Sequence, residues 1–169
     1  GTMGVMRATA QSSALVGPPF HDEPPAQASA RHGLVVVGAG GTGRGVASQT
    51  AHAMQVTLVD NARSAEDLLE HVPGARCIHG DGTSLLVLRE AGVMRTYALV
   101  AATSDDHVNM EACRLAVDCG VPVVFCRIEE PSNGPRVLAM GAQPVTVQQA
   151  LTGAILSRLP NVVSTTSEV

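Results

Sequence analysis

Between Gly33 and Pro160 short apolar runs alternate with longer stretches whose apolar residues recur every three or four positions. The first pattern reads as strand and the second as helix. The run Leu34 to Val37 is short, β-branched and stopped by glycine, which suits a parallel strand buried on both faces. A helix rich in small residues follows from Gly43 to Ala53, then a second strand from Gln55 to Val59. Ser64 is expected to cap a helix over Ala65 to Glu70, with Asp67 three residues on, and Pro73-Gly74 ends it. A third strand is expected over Arg76 to His79, a helix over Ser84 to Ala91 closed by Gly92, and a fourth strand over Tyr97 to Ala101. The pattern continues with a helix from Asp106 to Cys119, a strand from Val121 to Cys126, and a helix from Pro135 to Met140. A sixth strand, Pro144 to Val147, leads into a last helix from Gln148 to Leu159, which Pro160 stops.

Regular alternation of strand and helix calls for right-handed crossovers and a parallel sheet. The expected fold is α/β: a Rossmann-like doubly wound parallel sheet of six strands, order 3-2-1-4-5-6, with helices on both faces. The helix Asp106 to Cys119 carries two apolar stripes at 100° per residue. Val108, Ala112, Leu115 and Cys119 form one; Met110, Cys113 and Val117 lie nearly opposite. One stripe covers the sheet, and the other calls for a neighbouring helix or a second subunit. Residues 1–31 lack periodicity and carry four prolines among Ala, Ser and Gln, so they read as a flexible tail opening on a cloning remnant, Gly1-Thr2-Met3. The ordered domain is expected over 32–160, with a second flexible tail at 161–169.

Candidate chemistry concentrates after the first strand. Gly38, Gly40 and Gly43 fit G-x-G-x-x-G: one for the tight turn, one for close approach of a pyrophosphate, one for helix-strand packing. The following helix turns its N-terminal N–H groups and the positive end of its dipole toward a bound phosphate. Asp60 closes the second strand at about the ~20-residue separation expected of an acid that accepts ribose hydroxyls, and its charge repels a 2′-phosphate. Arg63 is read as solvated for that reason. Asp81 emerges at the carboxyl end of a strand and serves either as a helix cap or as an adenine-side contact.

Composition narrows the field. The 169 residues suffice for one domain with a core, and at net charge −4 the eleven basic residues are scattered, so no nucleic-acid or anionic-membrane footprint is visible. No run approaches the ~20 apolar residues of a membrane span, and a cytoplasmic protein is expected. All eleven basic residues are arginine. Without lysine there is no P-loop lysine, no Schiff base and no Tyr-Lys reductase pair. Cys77, Cys113, Cys119 and Cys126 have no metal spacing and read as reduced thiols; no metal is expected.

Taken together, Gly38-Ala-Gly-Gly-Thr-Gly43, Asp60, Gly80-Asp-Gly-Thr83, Leu88-x-x-Ala-Gly-Val93, Val100-Ala-Ala-Thr-Ser-Asp-Asp-x-x-Asn109, Arg127 and Gly141-Ala142 resemble the TrkA-N or RCK domain. The resemblance covers about Leu34 to Leu156. It implies a Rossmann-like nucleotide sensor that forms a homodimer, in some cases a ring, and binds NAD(H) or AMP, ADP or ATP to bias a membrane potassium channel or transporter, without catalysis. Carried over, Gly38, Ala39, Gly40, Gly41, Thr42 and Gly43 hold phosphates, Asp60 and Asn61 the ribose, and Asp81, Gly82 and Thr83 the adenosine side. Ala102 and Thr103 border the nicotinamide end or the terminal phosphates, while Asn109 is a turn or helix-start residue rather than a ligand contact. Gly41 departs from the arginine many relatives carry after the second glycine, and Arg44 comes only after the third. Calcium-gated relatives use carboxylates where this chain has Ala102 and Cys126, so calcium gating is not expected. Sensing by the family's C-terminal lobe is not expected of these residues either. Two other readings compete: an NAD-dependent oxidoreductase or a fragment of one, with His79 and His107 as thin acid-base candidates, and an interaction module with a degenerate site.

Overall fold

Six parallel strands hydrogen-bond in the order β3-β2-β1-β4-β5-β6 in a computed structural model that describes residues 31–160. The expected tails otherwise lie outside the described residues. The chain runs β1 Leu34–Val37, α1 Gly41–Thr50, β2 Val56–Asp60, α2 Ala65–His71, β3 Arg76–His79, α3 Leu85–Glu90 and β4 Ala98–Ala101. It continues through α4 Asp106–Asp118, β5 Val123–Ile128, α5 Gly134–Ala139, β6 Gln143–Thr146 and α6 Val147–Leu156. The expected class and strand order are observed. Arg31, assigned to the tail, is instead anchored: its Nη2 donates to Cys119 O at 2.7 Å and its Nη1 to Thr96 O at 3.3 Å.

β1 divides the core by alternation, as a strand covered on both faces must. Leu34 and Val36 join Ala47 of α1, Val56, Leu58 and Leu68 of α2 in one cluster. Val35 and Val37 join Leu88 of α3, Leu99, Met110 and Cys113 of α4 and Val137 of α5 in the other. The four β1 side chains are nearly fully buried, each contributing roughly 1.5–3 kcal/mol. The register pairs Val37 with Val59 on one side and Ala101 on the other, so β1 and β4 end level and β2 runs one residue further, to Asp60. At that carboxyl edge the connections leave in opposite directions, α1 over one face and α4 over the other, which opens a crevice between them.

Three expectations are corrected. The fifth strand starts at Val123 rather than Val121, because Val121 N–H turns back to Ala116 O and completes the exit from α4. It also runs on through Arg127 to Ile128. The last helix ends at Leu156 rather than Leu159. The second stripe of α4 is no free face: Met110 is 6% exposed and Cys113 fully buried, both packed in the core with Ala112 and Ala116. Because α4 lies against β4 and β5, its buried arc is wide enough to take in both stripes. Exposed apolar side chains gather instead on α6, which has no buried residue and presents Leu151 and Ile155 at 61% and 60% exposure.

Candidate functional site

The turn from β1 into α1 is built by conformation and clearance. Gly38 takes φ +99°, a left-handed value that favours glycine, and its Cα faces the Ala102–Thr103 backbone so closely that a Cβ would lie 2.9 Å from Thr103 N. A Cβ on Gly43 would collide with the Gly38 carbonyl, so the helix can approach the strand only with glycine there. At Gly40 and Gly41 a Cβ would meet nothing within 4 Å. Those two glycines border open space rather than protein.

That space faces unsatisfied donors. The first N–H to bond back along α1 is that of Arg44, to Gly40 O at 3.0 Å, and Gly40 as N-cap brings no side-chain acceptor. The other two helices of ten or more residues, α4 and α6, are capped by Asp105 and Thr146. The Ala39 N–H is already taken: it donates to Asp60 Oδ1 at 3.1 Å, and the Ala39 methyl is buried in the core. Among the described residues the N–H groups of Gly40, Gly41, Thr42 and Gly43 are left without an acceptor.

Asp60 ties the end of β2 to the turn that follows it. Its Oδ2 accepts the Ala62 and Arg63 N–H groups at 3.1 and 3.0 Å, and Arg63 Nη1 stands 3.7 Å away. Oδ1, with one bond, retains a lone pair for a ribose hydroxyl. The Arg63 side chain remains 41% exposed beside that ion pair. Below it, Gly38, Asp60, Asn61, Asp81, Gly82 and Thr103 come together around a groove of about 250 Å³. Gly82 packs so tightly on Val37 that a Cβ would collide with it. Asp81 Oδ1 accepts Thr83 N–H and Thr83 Oγ1–H at 2.8 and 2.7 Å; the hydroxyl bond, then the backbone bond, holds its carboxyl below the usual aspartate range. This turn leaves the capping of α3 to Ser84, which makes no side-chain cap bond. Thr42 and Ala102 lie apart from the groove and line a second, largely apolar hollow of about 530 Å³ with Val100, Phe125, Arg127 and Leu151.

Asn109, expected at a turn or helix start, lies in the first turn of α4, is fully buried and holds the rim together. Its Oδ1 accepts Thr103 N–H and Oγ1–H at 2.9 and 2.6 Å, and its Nδ2 donates to Thr103 O and Arg127 O, both at 2.9 Å. Asp106 performs a matching task, accepting the Glu129 and Glu130 N–H groups and Asn133 Nδ2. Partial burial works to raise its pKa, but these bonds together keep it below the usual aspartate value. Of the histidines, His79 Nδ1 is held by Arg63 O at 2.8 Å and His107 lies exposed at the start of α4; neither lines the groove. The Cys113 thiol is pushed up by its contact with Cys126 and by burial, and all four cysteines are free.

The sequence profile of the TrkA-N domain matches residues 34–148, which spans the sheet and both sides of this crevice. The chain belongs to the TrkA-N domain family. It is 30% identical over 114 residues to the Trk system potassium uptake protein TrkA of Azorhizobium caulinodans, covering 65% of this chain and 24% of that protein. It is 26% identical over 132 residues to the TrkA homolog of Methanothermobacter thermautotrophicus, covering 75% and 59%. The chain thus spans less than two thirds of these relatives. Among solved structures, the NAD(P)-binding domain of an exopolyphosphatase-related protein from Archaeoglobus fulgidus superposes with TM-score 0.65 at 23% identity, over 75% of this chain and 96% of that one. The GsuK channel bound to NAD gives 0.59 at 20%, over 68% and 21%. The AMP-bound Kef C-terminal domain of Shewanella denitrificans gives 0.59 at 19%, over 78% and 83%. These likenesses fix the TrkA-N domain as Rossmann-like.

Proposed function

We propose that residues 32–160 form a regulatory nucleotide-binding domain of a potassium transport system, acting from the cytoplasmic side on a membrane channel or transporter. The observation that carries this reading is the uncapped start of α1 over a groove edged by Asp60. Gly40 and Gly41 leave room for a pyrophosphate, the N–H groups of Gly40, Gly41, Thr42 and Gly43 await acceptors, and the Asp60 carboxylate can accept from a ribose hydroxyl. NAD(H) fits this set, as does an adenine nucleotide; a 2′-phosphate meets the Asp60 charge. The family's potassium uptake proteins, and relatives solved with NAD or AMP, support the reading. Among the described residues no helix is long and apolar enough to cross a membrane. The work of the domain is to favour one of two arrangements of its partner, and a ligand achieves that only through different affinity for the two.

The homodimer is assigned to α6 rather than to α4. Leu151, Ile155, Leu156 and Leu159 are 42–61% exposed, and the apolar hollow beside Leu151 and Val145 continues that surface. The carboxylates that border the groove, Asp60, Asp81 and Asp105, each accept backbone N–H groups of their own turns, so binding is read as the function and hydride transfer is not. Calorimetric titration with NAD+, NADH, NADP+, AMP, ADP and ATP tests the proposal. Micromolar or tighter binding with a clear preference, and NADP+ the weaker of the dinucleotides, is expected. No binding to any of them, or NADH turnover with simple carbonyl compounds, would overturn it.

A further inference from the structure

Resting on the nucleotide reading, we propose that Arg127 supplies the cation for a second phosphate group, so that the site selects pyrophosphate-bearing ligands over a nucleoside monophosphate. The groove contains Asp60, Asp81 and Asp105 and, among the described residues, no arginine. Three carboxylates beside a phosphate site leave a charge for some cation to balance, and Gly41 offers no side chain. Arg63 stands 3.7 Å from Asp60, and neither it nor Arg44 borders either hollow.

Arg127 borders the second hollow together with Thr42 of the α1 N-terminus and Ala102. Its Nη1 reaches Ala102 O at 3.4 Å, and Ala102 adjoins the Gly38 turn, so the guanidinium lies on the rim beside the glycine loop. Its Nη2 is held at 2.6 Å by Glu129, whose side chain is half exposed. Its Nε is buried with no hydrogen-bond partner. An unpaired buried guanidinium donor is costly, and it is found here in a hollow that Thr42 of the α1 N-terminus also borders. A phosphate oxygen would accept from this fork in bidentate geometry, in competition with Glu129. The Arg127 backbone is fixed separately, its carbonyl accepting from Asn109, so the side chain can turn without loosening β5.

AMP, ADP and NADH are titrated separately into wild type, Arg127→Met, Arg127→Lys, Glu129→Gln and Arg44→Met, with thermal melting of each. Wild type is expected to bind ADP and NADH roughly ten-fold or more tighter than AMP. Arg127→Met should bring both down to the AMP level and leave AMP within about two-fold, with Arg127→Lys intermediate. Glu129→Gln should tighten ADP by freeing the guanidinium, an effect a purely structural ion pair would not give. It also keeps the test open should Arg127→Met fold poorly. Arg44→Met should match wild type. Equal affinity of wild type for AMP and ADP would overturn the proposal, as would equal losses for AMP and ADP in Arg127→Met, or a loss for NADH but not ADP. Failure of wild type to bind all three would overturn the nucleotide reading as well, which distinguishes the two.

Discussion

Gly40→Ala separates the glycine loop as fold from the glycine loop as binding surface. Gly40 has φ −72° and ψ −170°, extended backbone open to any residue, and its Cβ would meet no protein atom within 4 Å. Two small effects on stability oppose each other. Replacing glycine by alanine at a compatible position stabilises by about 0.4–1 kcal/mol through the unfolded chain, while alanine is a poorer N-cap than glycine by a similar amount. The net change should fall within about 0.5 kcal/mol, a shift in Tm of about 2 °C. If a phosphate packs against this backbone, the new methyl pushes it off at least one charge-assisted N–H bond, costing about 1.5–3 kcal/mol. That loosens NADH or ADP by roughly 10- to 150-fold. Gly43→Ala gives the opposite outcome: its Cβ collides with Gly38 O and the domain should fail to fold. The assay is calorimetric titration beside urea unfolding of the same preparations. A Gly40→Ala protein with wild-type stability and wild-type affinity would refute the assignment of the open space to phosphate.

Asn109→Ala removes four buried hydrogen bonds from the rim and should destabilise by about 2–4 kcal/mol in urea, with nucleotide affinity falling as Thr103 is released. Met110→Glu places a carboxylate in the core and should cost about 3 kcal/mol or more, whereas Ile155→Glu should leave the melt unchanged and shift light-scattering mass from dimer to monomer. A monomeric wild type at tens of micromolar would count against the α6 face. Asp106 has a folded pKa below its unfolded value, so its contribution is present above about pH 4 and is lost as pH falls through the folded value. The stability gap between wild type and Asp106→Asn should therefore narrow from pH 5 to pH 3; a constant gap would contradict the bonds assigned to it.

Much of this was legible along the chain because local signals agreed with the fold. The β-branched run Leu34–Val37, the glycine spacing and Asp60 fix the first crossover, and strand-helix alternation gives the sheet order. Periodicity failed where tertiary contacts decide. Two stripes on α4 looked like two faces because a one-helix projection does not register how far β4 and β5 wrap it, and the buried Asn109 in that arc is polar and invisible to an apolar count. Val121-Pro122 read as strand, yet Val121 spends its N–H on α4. Arg127 ended the apolar run and so seemed to end β5, although an arginine with one edge on the rim continues the alternation. The bonds from Ala39, Ala62 and Arg63 to Asp60 join residues across a turn whose closure no spacing rule specifies.

A nucleotide bound across the β1–α1 turn between Asp60 and Thr103 would perturb the backbone there before anywhere else. The most direct measurement is a backbone amide NMR titration of the isotope-labelled protein with NADH and with ADP. The account predicts the largest shifts at Gly40, Gly41, Thr42, Asn61, Gly82 and Thr103, with the α6 amides little changed at low occupancy. Shifts confined to another surface, or none at millimolar ligand, would contradict it.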